Sequence, residues 1–321
     1  MTLLLTGIHG FVGSNLVFAL KERHSIYGLD IVSPEKKGII KTYSWDELAL
    51  LPEVDTIIHL AGKAHDTKNK SKAQEYFNIN TGLTQKMFDY FLQSKAKQFI
   101  FFSSVKAAAD MVEDDYLTED VIPKPVGPYG ESKIAAEKYI LNKERGIAGQ
   151  ACNDKRIYIF RPCMIHGPGN KGNLNLLYNV VAKGFPWPLG RFDNVRSYTT
   201  IENLCWIVEQ FILRNPESGI YNIADDTPLS TNKLIELIAA SKGKKVKVWH
   251  VNKSIVKALA KIGDYTGFPL NSDRLQKLTE NYIVSNQKLK NALGITSLPV
   301  ESIEGMKKTL TYFSTPTHYQ R

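Results

Sequence analysis

The chain has 321 residues, of which 43% are hydrophobic and 23% are charged, as is typical of a globular protein with a large core. No run of about 18 apolar residues occurs, so no membrane span and no membrane partner is predicted. The net charge of +9 comes from scattered basic residues without a basic-aromatic repeat, so we expect no nucleic-acid partner. Such an excess of positive charge does suit ligands that carry phosphates.

The cysteines and the first residues together predict a compartment. Cys152, Cys163 and Cys205 are widely spaced and odd in number, which predicts neither a disulfide framework nor a zinc site. The opening residues lack the charged region and the cleavage site of a signal peptide, and they predict a strand instead. We therefore expect a protein of the reducing cytoplasm.

A glycine-rich turn joins this first predicted strand, Thr2–Thr6, to a helix. Gly7, Gly10 and Gly13 follow the strand at once, and apolar residues then recur at helical spacing up to Lys21. In that context the first glycine permits a tight turn, the second lets the backbone approach a pyrophosphate, and the third lets helix and strand pack closely. The helix N-terminus suits phosphates. We predict a dinucleotide site here, with a purely structural turn as the alternative.

An acidic residue ends the second predicted strand. Asp30 follows Ser25–Leu29 and lies 23 residues after Gly7, near the spacing of an acid that binds a ribose diol. A carboxylate at this place repels a 2′-phosphate, which favours NAD over NADP. An ordinary turn residue at the end of a strand is the alternative.

Helices and strands then alternate up to about residue 165. The S-x-x-E pattern of residues 44–47 predicts a capping box and a brief helix through residue 51. Such alternation predicts an α/β fold with a doubly wound parallel sheet, the Rossmann arrangement. The further strands are predicted at 54–60, Gln98–Phe102 and 157–160, and the further helices at 75–92 and 129–145.

Beyond residue 165 the pattern loosens and predicts a smaller, mixed α/β lobe for the substrate. We expect a nucleotide-binding domain over 1–165 and a substrate lobe over 166–321, with a segment near 199–224 returning to the first domain. Helices are predicted at 174–183, Ile201–Arg214, 231–242 and 253–262, and one strand at 219–224.

Tyr129 and Lys133 lie four residues apart, so a helix would place both on one face. A fixed ammonium favours a phenolate and lowers the pKa of the tyrosine, which could then exchange a proton with a sugar or alcohol oxygen. Alone, this spacing is common by chance, and a solvated lysine beside a half-buried tyrosine is the alternative. The preceding strand ends in Ser103 and Ser104, and the carboxyl ends of such strands meet at one edge of the sheet.

With these strands, helices and motifs assigned, the chain resembles the extended short-chain dehydrogenase/reductases. Among them it resembles the nucleotide-sugar epimerase/dehydratase group. The matching motifs follow one another in the expected order over most of the chain. They are T-G-x-x-G-F-x-G at 6–13, the acid Asp30, H-L-A-G at 59–62, Asn80, S-S at 103–104, P-Y-G-x-S-K at 128–133, R-P-x-x-x-x-G-P-G at 161–169 and R-S-Y-x-x-x-E-N at 196–203.

The resemblance implies roles for particular residues. Ser104 would hydrogen-bond the sugar O4, Tyr129 would be the base, and Lys133 would bind the nicotinamide ribose and lower the pKa of the tyrosine. The other residues implied for NAD are Gly7, Gly10, Phe11, Val12, Gly13, Asp30, Leu60, Ala61, Gly62, Asn80, Ser103 and Pro162. The other residues implied for the substrate are Lys106, Asn173, Arg196 and Arg274, of which the two arginines would hold a diphosphate.

Three positions depart from the family pattern. Lys106 replaces a common serine or threonine, Met164 a common asparagine and His166 a common tyrosine. The Ser-Ser-Val-Lys variant resembles a bacterial subgroup that acts on UDP-N-acetylhexosamines in surface-polysaccharide synthesis. His59, His65 and His166 are not at metal-ligand spacing, so no metal is expected.

The resemblance implies an NAD-dependent enzyme that epimerises a UDP-sugar at C4, on UDP-glucose or UDP-N-acetylhexosamine. A reductase of a UDP-4-keto-6-deoxy-N-acetylhexosamine that consumes NAD(P)H is one alternative, and a non-catalytic dinucleotide sensor on the same fold is another. A homodimer is expected through the helices at 75–92 and 129–145, where the apolar stripe is wide. Simple core packing is the alternative for that stripe.

Overall fold

A computed structural model describes residues 1–32, 36–64, 72–147, 154–170, 172–184, 186–266 and 271–314. Within these ranges the backbone builds one seven-stranded sheet, in which every neighbouring pair of strands is parallel. Its strands are β1 (Thr2–Thr6), β2 (Ser25–Leu29), β3 (Thr42–Tyr43), β4 (Thr56–His59), β5 (Gln98–Phe102), β6 (Arg156–Pro162) and β10 (Gly219–Ile223).

Side chains of β1 alternate between the two faces of the sheet, and helices cover both faces. Leu3 and Leu5 pack with α1 (Phe11–Leu20) and α7 (Ile201–Arg214), whereas Leu4 packs in a separate cluster. That second cluster contains the buried faces of α3 (Leu83–Gln93) and α5 (Gly127–Ile147). Because both faces are buried, the strands are almost continuously apolar. The predicted doubly wound α/β fold is confirmed.

The strand order is β10-β6-β5-β4-β1-β2-β3. The order of connection reverses between β1 and β4, and ligands bind such sheets in the crevice outside the carboxyl ends of the strands at this point. The turns that follow β1, β4 and β5 therefore meet at one edge.

The predicted helix at 75–92 is longer and less regular than the pattern indicates. It begins as α2 (Ala73–Tyr76), passes through a π-helical segment, Phe77–Gly82, and continues as α3. The side chain of Phe88, which widened the predicted apolar stripe, is buried in the core. Core packing therefore accounts for part of that stripe.

The helix predicted over 44–51 is wrong in extent. The carboxylate of Glu47 does accept the backbone N–H of Ser44 at 2.8 Å, which is half of a capping box. Only a 3₁₀ turn at Leu48–Leu50 follows, because Pro52 stands directly after Leu51 and stops the helix.

A further hydrophobic cluster, outside the two that cover the sheet, is formed by α6 (Asn173–Ala182), α8 (Thr231–Ser241), α9 (Lys253–Thr266), α10 (Ser272–Thr279) and α12 (Ser302–Ser314). Residues of α7 pack in the same core as β1, and β10 pairs with β6 at the edge of the main sheet. The boundary between residues 165 and 166 stays a prediction. The remaining elements are α4 (Val105–Ala108), β7 (Met164–His166), β8 (Val195–Arg196), β9 (Tyr198–Thr200), β11 (Leu229–Ser230) and α11 (Gln287–Leu293).

Local pattern predicted α6 to α9 to within a few residues but not α10, α11 or α12. The sequence of α10 is strongly polar, and α11 has only seven residues, so neither shows a sustained apolar period. None of the described helices is long and apolar enough to cross a bilayer.

Candidate active site

A cavity of about 460 Å³ opens at the carboxyl edge of the sheet. It is lined by the glycine turn after β1, the ends of β4, β5 and β6, and the start of α5. Fourteen of the residues singled out in the sequence line it: Gly7, Gly10, Phe11, Val12, Gly13, Leu60, Gly62, Ser103, Ser104, Lys106, Tyr129, Lys133, Pro162 and Arg196.

The glycines of this cavity leave no room for side chains. Gly7 has φ of +69°, and a Cβ atom there would lie 3.1 Å from the backbone of Ala61. A Cβ on Gly13 would lie 2.2 Å from the carbonyl oxygen of Gly7, so α1 can approach β1 only with glycine at this position. A Cβ on Gly62 would lie 3.0 Å from Lys133 Nζ. This cradle of bare backbone at a helix N-terminus fits a dinucleotide pyrophosphate.

Asp30 is buried beside the glycine turn but does not line the cavity. Its Oδ2 accepts the backbone N–H of His9 at 3.0 Å, and its Oδ1 accepts that of Ile31 at 2.7 Å. Sequence reasoning missed Lys36, whose ammonium donates to the Ser14 hydroxyl at 2.7 Å and to the carbonyl of Ile8. Burial lowers the pKa of Lys36, and the charge of Asp30 opposes this.

His59 fixes the turn that contains Leu60 and Ala61. The Thr84 hydroxyl donates to a backbone carbonyl, so it accepts the Nε2–H of His59 at 3.0 Å. The Thr6 hydroxyl accepts the N–H groups of Leu60 and Ala61, at 3.0 and 2.9 Å, and its own proton points to Nδ1 of His59 at 2.8 Å. This network holds the imidazole neutral, and burial lowers the pKa of His59 to about 3.

Asn80 lies on the π-helical segment and contacts the backbone that supports the site. Its Oδ1 accepts the backbone N–H of Lys63 at 2.7 Å, and its Nδ2 donates to the Ser132 hydroxyl at 2.9 Å. Asn80 is fully buried and does not line the cavity. It ties the turn after β4 to α5, which carries Tyr129 and Lys133.

Tyr129, Lys133 and Ser104 meet where β5 ends and α5 begins. The Nζ atom of Lys133 donates to the carbonyl of Phe102 at 2.8 Å, and burial lowers the pKa of this lysine to about 8, opposed by the charge of Glu137. Burial also raises the pKa of Tyr129, against a hydrogen bond with the Ser104 side chain. The expected lowering by Lys133 is therefore not seen here, because its ammonium is directed at the Phe102 carbonyl.

A buried ion pair supports this corner from behind. Arg161 binds the carboxylate of Glu137 through two nitrogens, with Nε–Oε1 at 3.0 Å and Nη2–Oε2 at 2.6 Å. The Ser103 hydroxyl donates to the same carboxylate, and all three side chains are buried. The pair joins β6, β5 and α5, and Glu137 lies one helical turn beyond Lys133.

In another part of the cavity wall, two cations flank one aromatic ring. The ammonium of Lys106 lies 4.7 Å from the ring centre of Tyr282, and the guanidinium carbon of Arg196 lies 5.7 Å from it. Lys106 also donates to the carboxylate of Asp110 at 2.7 Å, and Arg196 donates to the carbonyl of Lys277. This wall therefore offers cations that are already held in place for an anionic or hydroxylated ligand.

One predicted substrate residue, Arg274, does not line the cavity. Arg274 lies on the exposed side of α10, and Asn173 begins α6, but its side chain lies outside what the structure describes. His65 also falls outside the described residues. His166 is buried and its Nδ1 hydrogen-bonds the Thr309 hydroxyl at 2.8 Å, so it packs the second lobe. No cluster of metal-ligating groups exists within the described ranges.

Sequence reasoning missed several residues of the lining. Tyr282 reaches the site on an irregular strand that bridges to Arg196, and no local motif marks such a long-range pairing. Met164 had been recognised only as a departure from a pattern. The other unpredicted lining residues include Phe102, Cys163, Asn170, Leu174, Ser197 and Tyr198.

Comparison with known proteins finds similar sequences over nearly the whole chain. The model of the NAD dependent epimerase/dehydratase family matches residues 3–224. The chain is 30% identical to a UDP-glucose 4-epimerase of Vibrio cholerae, over 97% of this chain and 95% of that protein. It is 27% identical to an N-acetyl-alpha-D-glucosaminyl-diphospho-ditrans,octacis-undecaprenol 4-epimerase of Escherichia coli O157:H7, over 96% and 94%.

The fold has close counterparts among solved structures. The UDP-glucuronic acid 4-epimerase of Bacillus cereus in complex with NAD superimposes with a TM-score of 0.74 over 98% of this chain and 99% of that one. The two sequences are 19% identical, so this likeness concerns the fold.

Proposed function

Since the chain belongs to the NAD dependent epimerase/dehydratase family and is an NAD-using enzyme, we propose that it epimerises a UDP-linked hexose or N-acetylhexosamine at C4 through a 4-keto sugar. The observation that carries this proposal is the meeting of Ser104, Tyr129 and Lys133 beside the glycine cradle. A surface-polysaccharide pathway in the cytoplasm would use such an activity.

In the proposed reaction, Tyr129, Ser104 and Lys133 act at the C4 hydroxyl of the sugar. Tyr129 takes the proton of the C4 hydroxyl, and Ser104, which hydrogen-bonds Tyr129, holds the sugar O4. When bound, NAD would supply the reversible hydride transfer at C4 that lets the configuration invert. Burial raises the pKa of Tyr129, so its phenolate form is energetically unfavourable. The positive charge of Lys133 must therefore stabilise the phenolate during proton transfer. Below a pH of about 8 Lys133 still carries that charge.

The remaining cavity residues bind and orient the two ligands. The cradle of Gly7, Gly10 and Gly13 would take the cofactor diphosphate. Asp30, which lies beside the cradle and not in the cavity lining, would accept a hydrogen bond from a ribose hydroxyl and disfavour a 2′-phosphate. Arg196, which lines the cavity, would bind the diphosphate of the sugar nucleotide, and Lys106, which also lines it, would bind the sugar. The roles of Asn173 and Arg274 stay predictions.

A product assay without added cofactor tests this function. Purified protein is incubated with UDP-glucose or UDP-N-acetylglucosamine, and we expect conversion to the galacto form. Failure to convert either sugar, with oxidation of NAD(P)H on a UDP-4-keto-6-deoxy sugar, would establish the reductase instead. Absence of both reactions, with NAD still bound, would favour a dinucleotide sensor.

A sugar linked through a diphosphate to a polyprenol is a second candidate substrate. The printed name of the E. coli relative gives such a compound as its substrate. Exposed apolar side chains on α9, among them Ile255, Leu259 and Ile262, are the observation that favours it here. If the protein epimerises this lipid in detergent but does not epimerise free UDP-sugars, the polyprenol-linked sugar is its substrate.

We also propose a homodimer through α3 and α5. These helices contact each other, and Tyr90, Leu92 and Tyr139 on them pack against the core but stay only partly buried. Light scattering at micromolar concentration should give twice the mass of 36.1 kDa, whereas a monomer would exclude this arrangement.

A further inference from the structure

Helix α9 carries exposed apolar side chains in addition to those that pack in the core. Its buried side consists of Val256, Ala260 and Gly263. Beside that side, Ile255, Leu259 and Ile262 follow one another at spacings of four and three residues. Each of these three side chains is more than half exposed. On a helix of 3.6 residues per turn they form one continuous stripe.

The surroundings of this stripe are strongly basic. Residues 242–266 include seven lysines and one carboxylate, Asp264, a net charge of +6 in a chain whose total is +9. The oxygens of Asp264 accept hydrogen bonds from the backbone N–H and the hydroxyl of Ser272, at 2.8 and 2.6 Å. Trp249 lies in the same segment and is more than half exposed. Two-thirds of the chain's net charge is therefore carried by the 25-residue segment that contains the apolar stripe.

We propose that α9 binds an anionic phospholipid surface. A helix of this kind lies in the plane of the membrane interface, with apolar side chains among the acyl chains and lysines at the headgroups. The indole of an exposed tryptophan suits the same interface. The earlier expectation of no membrane partner rested on the lack of a spanning segment, which does not bear on surface binding.

Charge argues against a second copy of this chain as the occupant. Two-fold pairing of α9 would bring Lys257 and Lys261 of one copy toward those of the other, and like charges at short range oppose association. Nucleic acid would match the charge but leaves the apolar stripe without a role. An anionic bilayer satisfies both features at once.

The position of α9 gives this binding a consequence for the site. The helix packs against α10, and the carbonyl of Lys277 on α10 binds Arg196 in the cavity wall. Helix α10 therefore connects α9 to the wall of the cavity.

Vesicle sedimentation with the full chain tests the proposal. We expect binding to vesicles of phosphatidylglycerol and phosphatidylethanolamine, and little binding to phosphatidylcholine alone. Leu259→Ser should lower the partition coefficient about ten-fold, since it removes a large apolar side chain from the interface. Lys257→Gln should lower it about five-fold, and salt of about 0.5 M should lower it further.

Leu213→Ser is the matched control, because Leu213 on α7 is 58% exposed and Leu259 is 52% exposed. Its vesicle binding should equal that of the unchanged protein, and thermal unfolding should confirm that both variants are folded. Equal losses in the two variants, or no binding to anionic vesicles, would overturn the proposal. So would a dimer in light scattering without lipid that Leu259→Ser dissociates, because the stripe would then join two copies. Vesicle binding does not depend on turnover, so failure here leaves the proposed epimerase intact.

Discussion

A Cβ atom placed on Gly13 would lie 2.2 Å from the carbonyl oxygen of Gly7, far inside any real contact. The backbone of both residues would have to shift, and with it the cradle proposed for the cofactor. We expect Gly13→Ala to lose measurable NAD binding in calorimetry and to unfold at a lower temperature.

Gly146 provides the control for this substitution, since a Cβ there meets nothing within 4 Å and it also lies in a helix. Gly146→Ala should keep NAD affinity and gain up to about 1 kcal/mol of stability from helix propensity. Normal NAD binding by Gly13→Ala would show that the close approach is not required.

Removing the hydroxyl of Tyr129 should remove the proposed base. We expect Tyr129→Phe to lower kcat by about 10²–10⁴-fold, the usual contribution of a positioned acid or base, with little change in NAD affinity. The neighbouring Tyr76, whose ring centre lies 6.5 Å away, gives a matched variant in Tyr76→Phe, which should stay active. Retention of activity by Tyr129→Phe in a product assay would exclude this tyrosine as the base.

Acid should destabilise the protein through His59. Its pKa is lowered from 6.5 to about 3 in the folded state, so between these pH values the unfolded chain binds more protons. The contribution of this group to stability is full above pH 6.5 and falls by about 1.4 kcal/mol per pH unit on acidification below it.

Denaturant titrations at several pH values would measure this slope. His166, whose pKa is lowered to about 4 by burial, adds a similar loss over its own range. His59→Gln keeps a polar side chain but does not titrate, so it should flatten the pH dependence by one proton. An unchanged slope in that variant would mean that His59 does not control acid stability.

Breaking the ion pair of Arg161 and Glu137 should be costly, because either partner alone would leave a buried charge. We expect Arg161→Met to lower the free energy of unfolding by about 3–5 kcal/mol. The double variant Arg161→Met with Glu137→Leu should recover much of that loss, since no charge remains buried. Chemical denaturation of Arg161→Met, Glu137→Leu and the double variant would give the coupling energy. A double variant whose loss of stability equals the sum of the two single losses would argue against this account.

Local sequence pattern predicted the parts of the site that depend on neighbouring residues. The turn at Gly7 and the helix that carries Tyr129 follow from glycine spacing and apolar period. Lys36 and Tyr282 could not be predicted in this way, because each reaches its place through packing between segments distant in the chain. Asn80 was identified by resemblance, but the π-helical segment that aims its side chain has no marker in the apolar pattern.

The hydrogen bonds of that π-helical segment, Phe77–Gly82, span one residue more than those of the α-helix on either side of it. A one-residue deletion there would restore a regular α-helix while keeping Met87 and Phe91 in register with the sheet. It would withdraw Asn80 from the turn after β4. We therefore expect such a deletion to keep the core contacts of α3 and to remove the hydrogen bonds through which Asn80 supports the turn after β4.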